Sequence, residues 1–140
     1  DNITLDDVTL MVSRPLEDNS FQLFNYLMNG QNMKAIGLFR DLKVGNLNPI
    51  VLISMLASQF RLLDEVFYLI SLRNSLDDIA KELGINPVRV TIMSKYYRSI
   101  TQTQIKDILE ELFMLDKNIK SGQIDRDYGF ELFLINFKLF

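Results

Sequence analysis

Apolar residues recur along this chain at the three-and-four spacing of helices, and nowhere with the clean alternation of a strand. Phe21, Phe24, Leu27 and Met28 share one face, and Ala35, Ile36, Phe39 and Leu42 another. Farther on, Ile105, Ile108, Leu109, Leu112, Phe113 and Ile119 point one way, while Lys106, Asp107, Glu110, Glu111, Asp116 and Lys117 point the other. Punctuation residues divide these runs. Thr4 before Leu5-Asp6-Asp7 predicts a short first helix that stops near Val12, ahead of Pro15. Asn19-Ser20 would cap a second helix closed by Gly30, and Asn32 a third closed by Gly45. Gly37 inside that third helix costs about 1 kcal/mol relative to Ala and suggests a close helix crossing.

Asn48-Pro49 opens a helix of roughly 25 residues that meets no breaker before Asn74. Ser75-Leu76-Asp77-Asp78 starts a short one ending at Leu83-Gly84, and Asn86-Pro87 starts another that runs to about Arg98. Thr101 or Thr103 then begins a long amphipathic helix ending at Gly122, and Asp125 caps a last one from Arg126 to Phe140. Val88-Arg89-Val90-Thr91-Ile92 alternates in part, but its setting favours helix. The pattern predicts an all-α fold, a helical bundle of about seven or eight helices.

Two stretches are too apolar for an ordinary surface helix. Between Pro49 and Phe60 there is no charge, whereas Arg61, Asp64, Glu65 and Arg73 mark a wet stripe beyond it. A helix apolar on every side is buried on every side, either as a central core helix or against another subunit. The final segment, Phe130 to Phe140, is equally poor in polar residues. One domain of this size would struggle to cover both, so a partner surface is expected, with Ile50, Leu52, Ile53, Leu56, Phe133, Phe137 and Phe140 as candidate subunit-interface residues. Phe60, Phe67, Tyr68, Phe113 and Phe130 fall at the same helical spacing and read as core.

Composition narrows the chemistry. The 140 residues include no Cys, His or Trp, which removes disulfides, thiolate nucleophiles, His-based triads and the common zinc sites. With 15 basic and 18 acidic side chains the net charge is −3, so there is no whole-domain basic field for nucleic acid. The chain shows no signal-peptide pattern and no apolar run of ~18 residues, so a cytoplasmic protein without a membrane span is expected. It starts Asp1-Asn2-Ile3 and passes directly into a helical pattern, which suggests a piece of a longer protein.

No glycine-rich phosphate loop is present, so no nucleotide cofactor is expected. The acidic pairs Asp6-Asp7 and Asp77-Asp78 lie in first helical turns, where carboxylates complement the helix dipole, and Glu110-Glu111 lies on a polar face. Catalytic residues and metal ligands are therefore not assigned. The sharpest motif is a helix-turn-helix-like pair from Leu76 to Lys95, with Ile79, Ala80, Val90 and Met93 inward around Leu83-Gly84-Ile85. From Leu83 to Lys106 there is no acid, while Arg89, Lys95, Arg98 and Lys106 are basic, so Arg89, Lys95 and Arg98 are candidate phosphate contacts. Against DNA reading, the outward positions of the second helix would be Pro87, Val88, Thr91 and Ile92, where base readout wants Arg, Lys, Asn or Gln. A DNA-binding fragment of a transcriptional regulator is the alternative function.

Several blocks in order resemble the C-terminal half of the bacterial DNA polymerase III delta subunit. They are Asn19-Ser20-Phe21-Gln22-Leu23-Phe24, Asn48-Pro49-Ile50-Val51-Leu52-Ile53 leading to Gln59-Phe60-Arg61-Leu62-Leu63, and Ile79-Ala80-Lys81-Glu82-Leu83-Gly84-Ile85-Asn86-Pro87-Val88-Arg89-Val90. Leu115-Asp116-Lys117-Asn118-Ile119-Lys120-Ser121-Gly122 followed by Phe130-Glu131-Leu132-Phe133-Leu134 completes the set. The resemblance implies a non-enzymatic segment of the clamp loader, the assembly that opens the sliding clamp and places it on primed DNA. Residues 1–15 would be the tail of a small helical, lid-like domain, and residues 16–140 the collar that holds the subunits together. It implies delta-prime and gamma/tau subunits as partners, clamp contact only through an upstream domain, and at most weak DNA contact.

Overall fold

The computed structural model describes the backbone of residues 5–139 and side chains from residue 15 onward. Among the described residues there are seven helices and no strand: α1 (Leu5–Met28), α2 (Asn32–Val44), α3 (Pro49–Ser71), α4 (Leu76–Leu83), α5 (Pro87–Ser94), α6 (Gln102–Lys120) and α7 (Arg126–Asn136). The all-α expectation holds. α3 is the hub, packed against α1, α4, α5, α6 and α7, while α2 bridges α1 and α7.

Most boundaries follow the predicted punctuation because the caps form. Asn48 Oδ1 accepts from the Ile50 amide at 3.0 Å, Ser75 Oγ from Asp78 at 3.1 Å, Asn86 Oδ1 from Val88 at 2.9 Å and Asp125 Oδ2 from Tyr128 at 2.9 Å. Thr101 and Gln104 make a reciprocal capping box at the start of α6. Gly30 and Gly84 turn the chain with φ of +72° and +67°, a region that costs a Cβ-bearing residue strain.

The beginning departs from the reading. Pro15 does not end a helix but lies inside α1, and Ser20 is no cap. Its hydroxyl bends back to donate to the Glu17 carbonyl at 2.8 Å, and it is fully buried, accepting from Gln59 Nε2 at 3.4 Å. Pro15 itself is exposed, and the core contacts of Phe21, Leu23, Phe24 and Leu27 hold the helix that follows it. Thr4 lies outside the described residues. Three other expectations also change. Gly37 faces open space and supports no close crossing. α5 stops at Ser94, with turns carrying the chain through Arg98. α7 stops at Asn136, where Phe137 takes an extended backbone.

The core runs the length of α3. Phe24 stands edge-on to Phe60 at 5.0 Å and Phe39 edge-on to Phe130 at 4.8 Å, so aromatic pairs tie α1 to α3 and α2 to α7. Buried Ile105, Ile108 and Leu112 bring α6 onto the same core.

Candidate subunit interface

The first half of α3 is buried except along one stripe. Leu52, Ile53, Leu56, Ala57 and Phe60 are buried, whereas Val51, Ser54 and Ser58 are exposed and Ile50 and Met55 half-buried. The expectation of burial all round is therefore met on one face and left open on the other. The reason is geometric: α6 packs against α3 through its buried face, and beside that contact the exposed flanks of the two helices border a groove of about 400 Å³.

Val51, Met55 and Ile53 form one wall of that groove, and Leu109, Leu112 and Phe113 the other. Phe113 was expected to point inward; instead it is 65 % exposed. Charges sit at the rim, Arg61 on α3 and an Asp116–Lys120 pair at 2.9 Å on α6. An apolar centre holding an aromatic and a Met, with ion pairs kept to the edge, is the composition of a protein–protein contact.

The structure redistributes the interface residues expected from sequence. Ile50 and Ile53 line the groove. Leu52 and Leu56 are fully buried within the chain, and Phe137 packs on Phe60 and Phe133 with ring centroids 6.0 and 5.8 Å away. These three cannot meet a partner directly, because intramolecular contacts already use their surfaces. Phe133 is half-buried between α6 and α7, and Phe140 lies outside the described residues. Val51, Met55 and Phe113 line the groove as well, and sequence reasoning did not single them out for it. The spacing of 105, 108, 112, 115 and 119 in α6 places 113 off the strict inward line, a signal that Phe113 flanks the core.

α4 and α5 form the predicted helix-turn-helix-like pair, closed on Ile79, Ala80, Val90 and Met93. Val88 and Thr91 face solvent as expected, while Ile92 packs partly on the core. Arg89 is not free for a phosphate. It is withdrawn into the molecule, 2.6 Å from Asp18, 3.6 Å from Glu17 and 4.8 Å over the Phe21 ring, and so fastens α5 to α1. Lys95 and Arg98 remain exposed, and among the described residues neither forms an ion pair.

The family model for the C-terminal domain of the DNA polymerase III delta subunit matches residues 17–137. The chain belongs to this family. It is 33 % identical over 135 residues to DNA polymerase III subunit delta of Bacillus subtilis (strain 168), covering 96 % of this chain and 39 % of that one. Among solved structures it resembles the Bacillus subtilis DNA clamp loader delta protein, with a TM-score of 0.77 and 32 % identity over 96 % of this chain and 40 % of that one. The delta-family match takes in α4 and α5, so the helix-turn-helix-like pair is part of this domain's architecture. Among the described residues no helix is long and apolar enough to cross a membrane.

Proposed function

We propose that this chain is the collar segment of a clamp-loader delta subunit, joining the other loader subunits through its apolar surface and performing no catalysis itself. The observation that carries the reading is the open groove between α3 and α6, which leaves the uncharged face of α3 for a neighbour. The family match supports the setting. In it, delta-prime and gamma/tau subunits pack against the collar in the cytoplasm, and clamp contact belongs to the part of the relatives beyond the matched 39 %. The match over residues 17–137 supports a collar over residues 16–140; residues 1–15 are read as the tail of a preceding domain, joined to the collar through the continuous helix α1.

The test is co-elution of the protein with purified delta-prime and gamma/tau subunits on gel filtration. Val51→Asp with Phe113→Asp places charges in the groove without touching the core and should abolish the complex while leaving the melting curve in place. Wild-type protein that never joins these subunits, or a doubly charged variant that still joins them, refutes the reading.

A further inference from the structure

Helix α6 separates two grooves. Opposite the one against α3, a second of about 520 Å³ lies between α6 and α7. Met114, Leu115, Leu132 and Phe133 give it an apolar floor, Asn118 and Asn136 also line it, and its α6 edge carries Asp107, Glu110 and Glu111. These carboxylates recur at helical spacing and so run along one border. All three are exposed, none forms an ion pair among the described residues, and no Lys or Arg lines the groove. Lys138 shares an adjoining hollow with Asp107 and Glu111 but pairs with neither. Met114 here directly follows Phe113 of the first groove, and both are exposed, so apolar surface continues across α6 from one groove to the other.

This combination selects its occupant by charge. An apolar floor asks for aliphatic or aromatic side chains, but covering it brings three carboxylates close to the partner and strips water from them. An acidic or neutral segment would leave those charges desolvated and unpaired, a cost that rejects it. A segment that carries Lys or Arg beside its apolar residues compensates each one. We infer that the groove between α6 and α7 is a docking site for a cationic amphipathic segment of a neighbouring clamp-loader subunit. Its apolar side chains enter over Phe133 and Leu132, and its basic ones lie along Asp107, Glu110 and Glu111. The inference rests on the assembly role proposed above but uses a residue set separate from the α3–α6 groove.

The experiment measures affinity of the full-length protein for its purified loader neighbours at low and moderate salt, in the wild type, E110K/E111K, E110Q/E111Q and V51D/F113D. Both glutamates are exposed, so the Gln pair preserves the fold, and thermal melts verify this for every variant. The charge-reversed pair should bind one neighbour at least about tenfold more weakly at low salt, the Gln pair should fall between, and the salt dependence should flatten in both. Unchanged affinity in E110K/E111K, with binding lost in V51D/F113D, overturns this inference and leaves the proposed function standing. Wild-type protein that binds no loader subunit overturns both. Self-association that E110K/E111K abolishes, with subunit binding intact, also overturns it, because the occupant would then be a second copy of this chain.

Discussion

The side-chain amide of Asn32 donates to the carbonyl oxygen of Phe137 at 2.9 Å, across 105 residues of sequence. The same Nδ2 reaches the Leu134 and Ile135 carbonyls at 3.0 and 3.3 Å. Asn32 therefore caps the C-terminal end of α7 rather than the N-terminus of its own helix, where Gln31 holds the cap position without a side-chain bond. It ties the start of α2 to the end of α7, and the Arg40–Glu131 ion pair joins the same two helices farther along.

Removing that donor leaves helix-end carbonyls without their partner. Asn32→Ala should lower stability by about 1–3 kcal/mol, and Asn32→Asp by more, because a carboxylate would face three carbonyl oxygens. Urea unfolding midpoints of the three proteins check the order. Equal stability of Asn32→Asp and wild type would contradict it.

Tyr96 joins α1 to the turn after α5. Its hydroxyl donates to Asn25 Oδ1 at 2.8 Å and accepts from Asn29 Nδ2 at 3.0 Å. Burial pushes its pKa above the usual 10.0, with the Asn29 hydrogen bond opposing. A raised folded-state pKa means that the neutral phenol is favoured in the fold. Its contribution is complete below about pH 10 and is lost as pH rises through the folded pKa. Tyr96→Phe should cost about 1 kcal/mol at neutral pH and reduce the loss of stability as pH rises above about 10. Chemical denaturation across that range shows whether the variant's slope is shallower.

Arg89 should matter for folding and not for DNA. Its side chain is only 18 % exposed, beneath carboxylates that are themselves in solvent, so the ion pairs are partly screened and the packing over Phe21 carries much of the effect. Arg89→Ala should destabilise by about 1–2 kcal/mol, with Arg89→Lys recovering only part because it lacks the flat guanidinium. Thermal melts give the order. A change in DNA affinity without a change in melting temperature would speak for the phosphate role.

Two helical glycines should respond differently to Ala. A Cβ at Gly37 meets nothing within 4 Å, so Gly37→Ala should stabilise by about 0.5–1 kcal/mol. A Cβ at Gly129 would lie 3.1 Å from Leu115 Cδ1 and 3.3 Å from Ile124 Cδ1, so Gly129→Ala should lose that gain to crowding between α6 and α7. Adding Leu115→Ala to Gly129→Ala should relieve part of the crowding, which a double-mutant cycle on unfolding free energies measures.

Helix class, most boundaries and the Ile79–Met93 hairpin were legible in the sequence because caps, turn glycines and three-and-four spacing act within a few residues of one another. Residues that also answer to distant parts of the chain were misread. Pro15 reads locally as a stop, yet α1 continues through it, and Asn32 reads as a cap for α2 but spends its amide on α7. Arg89 reads as a free cation until Asp18 and Phe21 are brought beneath it. The sequence alone determined that surplus apolar surface exists around residues 49–60. Only the tertiary structure decided which part of it stays open: Leu52 and Leu56 vanish into the core, while Val51 and Phe113 line one groove from two helices. Periodicity states how apolar a helix face is, but which neighbour covers that face depends on contacts between residues far apart in the chain.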